Sequence, residues 1–186
     1  MKLIEFGFQK GINEVMGITF GEWINTAPLG IIVDNPESDR AKVRLYSNHT
    51  RKNIERTSRL WINIIHDPVI FAKASFEDLD ESYFLNLDPP IIKGSLGWCK
   101  MDAKLRGGFA DLRLLDAKII EKEIRTVNRG FNAVIEALVH GTRFVSLKRD
   151  DLLVKVEYYL DIAEKCGGDR EKRAVEIIRE KLGLDV

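Results

Sequence analysis

Residues 41–65, AKVRLYSNHTRKNIERTSRLWINII, carry the pattern that predicts the fold. Residues 41–45 alternate between apolar and polar side chains, which is typical of a strand with one buried face. After a polar turn, Thr50 is expected to cap a short helix over residues 51–58. Residues 60–65 are apolar on both faces and predict a central strand. The stretch therefore predicts a strand, a short helix and a second strand in a β-rich fold.

The first two thirds of the chain have the texture of an antiparallel meander. Residues 12–20 alternate in the same way, and Gly, Pro, Asn and Asp interrupt the apolar residues at short intervals. Gly107-Gly108 predicts a tight hairpin turn between strands at 96–106 and 110–114. Asp67-Pro68 predicts the start of a second short helix, with an N-cap residue before a proline.

The period changes from two to three or four residues after residue 125. Three amphipathic helices are predicted, with apolar stripes over residues 131–139, 152–163 and 174–182, and Gly141, Gly167-Gly168 and Gly183 as their ends. The predicted fold class is mainly β (α+β), an antiparallel β-barrel of about six strands. Residues 1–127 are expected to form the barrel domain, and residues 128–186 a helical segment packed on it.

Composition excludes several classes of protein. The 186 residues include 29 basic and 29 acidic side chains, so the uniform basic field of a general nucleic-acid or membrane-surface binder is missing. Cys99 and Cys166 are far apart and lack a CxxC partner, which favours free thiols in a reducing cytoplasm. The N-terminus has no signal-peptide pattern, and no apolar run is long enough to span a membrane. We expect a cytoplasmic protein that binds neither nucleic acid nor membrane.

The familiar catalytic motifs are absent. There is no P-loop, Rossmann glycine fingerprint, HExxH or GxSxG, and the three histidines share no metal-ligand spacing with the cysteines. Cys99 could be a nucleophile, but nothing beside it would lower its pKa, so a half-buried thiol is the favoured interpretation. We predict no catalytic side chain and no metal site.

One basic cluster calls for a ligand. Residues 40–59 contain seven basic side chains and a single acid, Glu55. Within the cluster, hydroxyls of Ser47 and Thr50 and the cations Arg51 and Lys52 lie where a helix begins, and such a helix start can bind a phosphate dianion. An ordinary solvated turn is the alternative, and composition does not decide between them.

The segment 26–32, TAPLGII, predicts a strand that contains a proline. Proline is tolerated only at a strand edge or a bulge because it cannot donate to the ladder. The free main-chain groups of such an edge could bind a planar heterocycle, with Gly30 allowing a close approach. The alternative is that Pro28 merely protects a sheet edge from aggregation.

Taken in order, these segments resemble the FMN-binding split-barrel superfamily, which includes the pyridoxamine-phosphate oxidases and the small flavin reductases. Residues 46–52, YSNHTRK, are similar to the oxidases' Tyr-Thr-Asn-x-x-Ser-Arg-Lys turn with one residue fewer. In that turn, Tyr-Thr and Arg-Lys contact FMN and its phosphate. Residues 27–30, APLG, resemble the reductases' Ala-Pro strand. Residues 50–54 and 61–64 resemble their Thr-x-x-Asn helix and Val-Asn strand. The substrate-binding Arg and His of the oxidases have no equivalent, so pyridoxamine phosphate is not expected as substrate.

A closer similarity, over nearly the full chain, is to an archaeal split-barrel family of otherwise unknown function whose members bind FMN. The resemblance implies FMN as cofactor and a homodimer with the flavin near the interface. The implied cofactor-binding residues are Thr26, Ala27, Pro28, Leu29, Gly30, Ile31, Tyr46, Ser47, Asn48, His49, Thr50, Arg51, Lys52 and Asn53. The function expected is that of a flavin-dependent oxidoreductase or flavin reductase.

Three alternatives stay open at this level. The same groove could take a deazaflavin or haem, as in other split-barrel families. The protein could be a nucleotide or nucleic-acid binding module that uses residues 40–59. It could also store or sense flavin without catalysis.

Overall fold

The computed structural model describes residues 1–184, which form two compact units. One unit comprises residues 1–66 and 78–123 and contains all the strands. The other comprises residues 67–77 and the chain from 124 onward, and it is helical. Among these residues, no helix is both long and apolar enough to cross a membrane.

Six strands of the first unit form a closed antiparallel barrel in the order β1-β2-β3-β8-β7-β4. The bounds of the barrel strands are β1 Gly11–Phe20, β2 Ile24–Val33, β3 Arg40–Arg44, β4 Arg59–Ile64, β7 Gly97–Arg106 and β8 Phe109–Ile119. Strands β5 (Phe84–Leu87) and β6 (Pro90–Ile92) pair as a separate small sheet. The predicted antiparallel barrel is confirmed, as is the hairpin turn at Gly107-Gly108.

The barrel interior is filled by the apolar members of the alternating strands. Each strand sends every second side chain inward, so these residues form one core. Its fully buried members include Ile31, Val43, Leu60, Ile62, Cys99, Met101 and Ala110. The alternation that predicted the strands therefore also predicted the core.

Strands β2 and β3 are joined by a very short contact. Strand β2 pairs with β1 along its whole length, but it pairs with β3 only through Ile31↔Val43 and Ile32↔Lys42. Over residues 24–30, β2 thus has a strand on one side only, within the chain as described.

Helix α1 (His49–Thr57) follows β3. The prediction that Thr50 caps it is wrong, because the cap is Asn48, whose side chain accepts a hydrogen bond from the Arg51 N–H at 3.0 Å. Thr50 is buried inside the first turn, where its hydroxyl has another partner. The helix ends at Thr57, and the C-cap residue Ser58, with a φ of 52°, donates its N–H to the Ile54 carbonyl.

The helical unit contains α2 (Pro68–Ala74), α3 (Arg129–Leu147), α4 (Asp150–Cys166) and α5 (Asp169–Leu182). Asp67 caps α2 as predicted, accepting from the N–H groups of the first turn. Gly141 does not end α3 as expected, and the helix continues for six more residues. A Cβ at Gly141 would lie 3.2 Å from Leu182 Cδ1, so this glycine allows close packing between α3 and α5.

Helix α2 groups with the C-terminal helices, although it lies within the predicted barrel domain in sequence. Phe71 of α2 packs edge-on against Phe131 of α3, with ring centroids 6.0 Å apart. Asp67 pairs with Arg170, and Glu77 pairs with Lys181 at 2.7 Å. The domain boundary at 127/128 stays a prediction. The helical unit of the structure also contains residues 67–77.

A buried amide attaches the small sheet to the barrel. Asn63 of β4 is fully buried, and its side chain donates to the Pro90 carbonyl at 2.9 Å. The side-chain oxygen accepts from the Ile92 N–H at 2.7 Å and from the Ser95 hydroxyl at 3.0 Å. One side chain thus satisfies three polar groups of the segment that carries β5 and β6.

We expect Asn63→Leu to lower the free energy of unfolding by about 3 kcal/mol, because a side chain of similar size leaves buried polar groups without partners. The melting temperature should fall by about 6–12 °C on the scale of a protein of this size. Circular dichroism melts would measure it, with Asn132→Leu on an exposed helix position as control. A loss below about 1 kcal/mol would contradict the role given to Asn63.

Candidate functional site

The site is built on the open edge of β2. The Thr26 N–H donates to Asp78 Oδ1 at 2.7 Å, so the main-chain groups of Thr26 face away from β1. Alternate residues of a strand share this direction, which places those of Pro28 and Gly30 on the same open side. Proline has no N–H, so its position on this edge costs no ladder bond. The prediction that Pro28 lies on a strand edge is confirmed.

The segment after residue 77 closes one end of this edge. Asp78 accepts from the Trp23 indole N–H at 2.7 Å as well as from Thr26. The Thr26 hydroxyl in turn accepts from the Leu79 N–H at 2.8 Å. Asp78 therefore fixes the start of β2 and also orients the Trp23 ring.

A buried hydrogen bond joins the two segments that the sequence singled out. Asn25 of β2 donates its side-chain N–H to the Thr50 hydroxyl of α1 at 3.0 Å. Asn25 is 6% exposed and Thr50 2% exposed, so water competes little for this bond. The N-terminus of α1 is thereby held beside the open edge of β2.

The first turn of α1 offers donors and cations. The main-chain N–H groups of His49 and Thr50 have no acceptor within residues 1–184, as is normal for the first turn of a helix. Lys52 is exposed. The Arg51 guanidinium donates to the Gly107 carbonyl at 2.7 Å, which connects α1 to the β7–β8 turn.

The other predicted residues of the turn have mixed surroundings. Ser47 and Tyr46 are exposed, and the guanidinium of Arg44 lies 5.4 Å from the centre of the Tyr46 ring. Asn53 donates to the Thr19 hydroxyl at 3.1 Å and so ties α1 to β1. Thr50 and Asn53 of α1 thus both bind strand residues through their side chains, Asn25 of β2 and Thr19 of β1.

A cleft of about 290 Å³ opens beside the first two turns of α1. It is lined by Glu22, Trp23, His49, Lys52, Asn53 and Arg56. The His49 and Trp23 rings meet edge to face with centroids 4.9 Å apart. The cleft places an aromatic surface beside two cations, Lys52 and Arg56, and one carboxylate, Glu22.

The side chains of the predicted β2 residues are less accessible to a ligand than their main chain. Leu29 and Ile31 point into the barrel core and are buried. Gly30 is close to β1, since an added Cβ would lie 2.9 Å from Ile12 Cγ2 and 3.0 Å from Glu14 Oε1. The close atoms are ends of side chains on the neighbouring strand, and any ligand contact of Gly30 is made by its backbone.

Trp23 and Asp78 belong to the site but were missed by sequence reasoning. They are 55 residues apart, and their contact is a single long-range hydrogen bond. Neither residue lies in a motif. An aspartate in a polar loop and a tryptophan in a turn carry no sequence signal for such a bond.

Cys99 is not suited to act as a nucleophile, and no metal centre is found within residues 1–184. Burial raises the pKa of the Cys99 thiol to about 12, and its side chain is fully buried rather than half-buried as expected. No group of three or more His, Cys, Asp or Glu side chains in that range could hold a metal ion.

Family models match both parts of the chain. Residues 13–130 match the N-terminal domain, and residues 128–180 the remainder, of a protein of unknown function, DUF447. The chain belongs to the DUF447 family. A DUF447 protein from Methanosarcina mazei, crystallised with bound FMN, is 35% identical to it. The match covers 96% of this chain and 99% of that one, with a TM-score of 0.86.

Other solved structures resemble this DUF447 chain at a lower level. An FMN-binding protein from Thermus thermophilus is 12% identical over 63% of this chain and 75% of its own, with a TM-score of 0.47. The flavin reductase of styrene monooxygenase from Pseudomonas putida S12 is 13% identical over 60% and 79%, with a TM-score of 0.46. Likenesses this low do not bear on function.

The two thiols should differ sharply in reactivity. Cys99 stays protonated at pH 8 because its raised pKa of about 12 lies well above that pH, and it is buried, whereas Cys166 is exposed. Iodoacetamide at pH 8 should therefore label one cysteine per native chain and two after denaturation. Mass spectrometry counts the labels, and rapid native labelling of Cys99 would contradict its burial.

Proposed function

We propose that this protein is an FMN-binding flavoprotein that acts in the cytoplasm as a flavin-dependent oxidoreductase or flavin reductase. The observation that carries the proposal is the open edge of β2 held beside the N-terminus of α1 by the Asn25–Thr50 hydrogen bond. The 35% identical family member crystallised with FMN supports the choice of flavin.

The phosphate would lie at the start of α1. The N–H groups of His49 and Thr50 point out of the helix end, and the helix dipole adds a partial positive charge there. Arg51 and Lys52 supply two cations, and the exposed Ser47 hydroxyl can donate a further hydrogen bond. This combination of donors fits a monoester dianion.

The ring system would lie along β2. Thr26 and Pro28 turn their carbonyls to the open side, and Gly30 turns its N–H there. These acceptors and this donor match the polar edge of an isoalloxazine. Trp23, oriented by Asp78, borders the same region.

In this assignment the protein binds the flavin, orients it and excludes water from one of its sides. When bound, FMN supplies the hydride or electron chemistry. No side chain has to act as nucleophile or general acid, which agrees with the burial of Cys99.

The test is a thermodynamic cycle on the phosphate. Charge-assisted hydrogen bonds contribute roughly 1.5–3 kcal/mol each, so the protein should bind FMN at least about tenfold more tightly than riboflavin. In Arg51→Ala/Lys52→Ala, that preference should collapse towards one while riboflavin affinity stays nearly constant. Titration calorimetry measures both ligands on both proteins.

Lys10→Ala/Lys93→Ala removes two exposed cations away from α1 and is the matched control. Its preference for FMN should equal that of the unmodified protein. Equal affinity of the unmodified protein for FMN and riboflavin would refute the phosphate assignment. An equal loss of preference in the control variant would mean that overall charge, not this turn, selects FMN.

We further propose that the functional form is a homodimer with the flavin near the interface. An open strand edge and a helix end cover one side of a planar ligand, whereas pockets usually cover roughly 70–90% of a ligand's surface. The strand-bearing unit also leaves a group of large apolar side chains exposed: Leu85, Leu87, Ile119 and Ile120. A second protomer could cover both the open side of the ligand and this apolar group.

Light scattering should give a mass of twice 21.3 kDa. Dilution that separates the protomers should release flavin, which fluorescence follows. Leu85→Asp/Ile120→Asp should favour the monomer if the apolar group is the contact. A monomer that keeps its FMN at nanomolar concentration would overturn the interface site.

A further inference from the structure

The basic cluster of residues 40–59 divides between two surfaces. Arg51, Lys52 and Arg56 lie on α1. Arg40, Lys42, Arg44 and Arg59 instead lie on the outer face of the barrel, at outward positions of β3 and β4. The candidate flavin site therefore accounts for only part of the cluster.

The register of the sheet adds three more cations to this outer surface. Arg40 lies opposite Arg113, and Arg113 opposite Asp102. In the next row, Asp111 lies between Lys42 and Lys104. In the last row, Phe109 lies between Arg44 and Arg106. We name this surface the basic face: Arg40, Lys42, Arg44, Arg59, Lys104, Arg106 and Arg113, with Asp102, Asp111 and Phe109.

The basic face has more positive charge than its own acids can neutralise. Its two carboxylates pair with Arg59 at 2.7 Å and Arg106 at 2.8 Å. At its margin, Asp34 pairs with Lys42 at 3.2 Å and Asp39 lies 3.9 Å from Arg40. Within residues 1–184, Arg44, Lys104 and Arg113 have no ion-pair partner. The local excess contrasts with a formal net charge of zero for the whole chain.

Sheet stability does not explain this arrangement. Opposite charges across a strand pair are favourable, whereas like charges directly opposite are destabilising. Arg40 and Arg113 are such a like-charged pair, and Phe109, which is 40% exposed, lies between two arginines. A face selected only for a soluble, stable sheet would not require either feature.

The basic face borders the candidate flavin site. The Leu45 N–H donates to the Gly108 carbonyl at 2.9 Å, and Arg51 donates to the carbonyl of Gly107 in the same turn. The row that contains Phe109 starts directly after this turn. A partner bound to the face would thus lie next to the start of α1.

We infer that the basic face docks an acidic one-electron carrier protein that exchanges electrons with the bound flavin, an inference that rests on the proposed function. The face extends about 14 Å in each direction at the usual strand spacings. That suits the small transient interfaces of redox partners, which bury less than about 1,200 Å². Two carriers each donating one electron, with two protons from water, would convert one oxidised flavin to its fully reduced form.

A nucleic acid fits the face less well. Its evenly charged phosphates would approach Asp102 and Asp111, which lie among the cations. A folded acidic protein can instead present its own cations to those carboxylates. The exposed ring of Phe109 adds the apolar contact typical of a protein interface.

The test measures binding of oxidised plant-type [2Fe–2S] ferredoxin, a strongly acidic carrier, by titration calorimetry at low salt. The variant is Arg40→Gln/Arg113→Gln, and Lys10→Gln/Lys93→Gln removes the same charge elsewhere. We expect about tenfold weaker binding for the face variant and less than about twofold for the control. The face variant should melt near the temperature of the unmodified protein, because it removes the like-charged Arg40–Arg113 pair together with the favourable contacts of Arg113 with Asp102 and of Arg40 with Asp39.

Ferredoxin binding should occur both with and without FMN loaded, so failure to bind flavin and failure to dock are separate results. Absence of ferredoxin binding to the unmodified protein, or an equal loss in both variants, would overturn the inference. Tighter binding of a 20-nucleotide RNA that is lost in the face variant would also overturn it, in favour of a nucleic-acid surface.

Discussion

Strands β2 and β3 pair through two residues each, and the candidate site depends on the shortness of that contact. An open strand edge leaves polar main-chain groups without partners and can recruit other chains. Here Pro28 removes one donor, and Asp78 binds the N–H of Thr26. The groups that remain form a short, defined row. The other ladders of the barrel range from three residue pairs between β1 and β4 to ten between β1 and β2 and between β7 and β8, and these keep the barrel closed around the β2–β3 seam.

The six barrel strands, the core and the presence of the helices could be predicted because they depend on local alternation and periodicity, whereas the β5–β6 sheet and the end of α3 could not. The turn at residues 48–52 could also be located, since its residue types are unusual in combination. Its detail could not, because Asn48 and Thr50 are both good capping residues. Only the contact between Thr50 and Asn25, from a distant strand, decides between them. Asp78 was invisible for the same reason, since its partners are more than fifty residues away in sequence.

The basic cluster illustrates a different limit. Seven cations within twenty residues suggest one ligand site, but a strand and a helix orient neighbouring side chains differently. The register of β3, β8 and β7 then brings cations from residues 104–113 beside those of β3. The charge of this surface thus depends on strand register. Counting charges along the sequence does not show that the cluster of residues 40–59 is divided between two surfaces, nor that cations of residues 104–113 join one of them.

Helix α2 is synthesised before the helices that bury its apolar side chains. Its buried side chains include Ile70 and Phe71, and its contacts are with α3 and α5, the last of which ends at Leu182. During synthesis from the N-terminus, about a hundred further residues must therefore emerge before α2 can complete its packing. Until then its apolar side is open to solvent and to other nascent chains. During this interval of synthesis, the apolar side chains of α2 can aggregate with other chains, whereas in the finished protein they are buried.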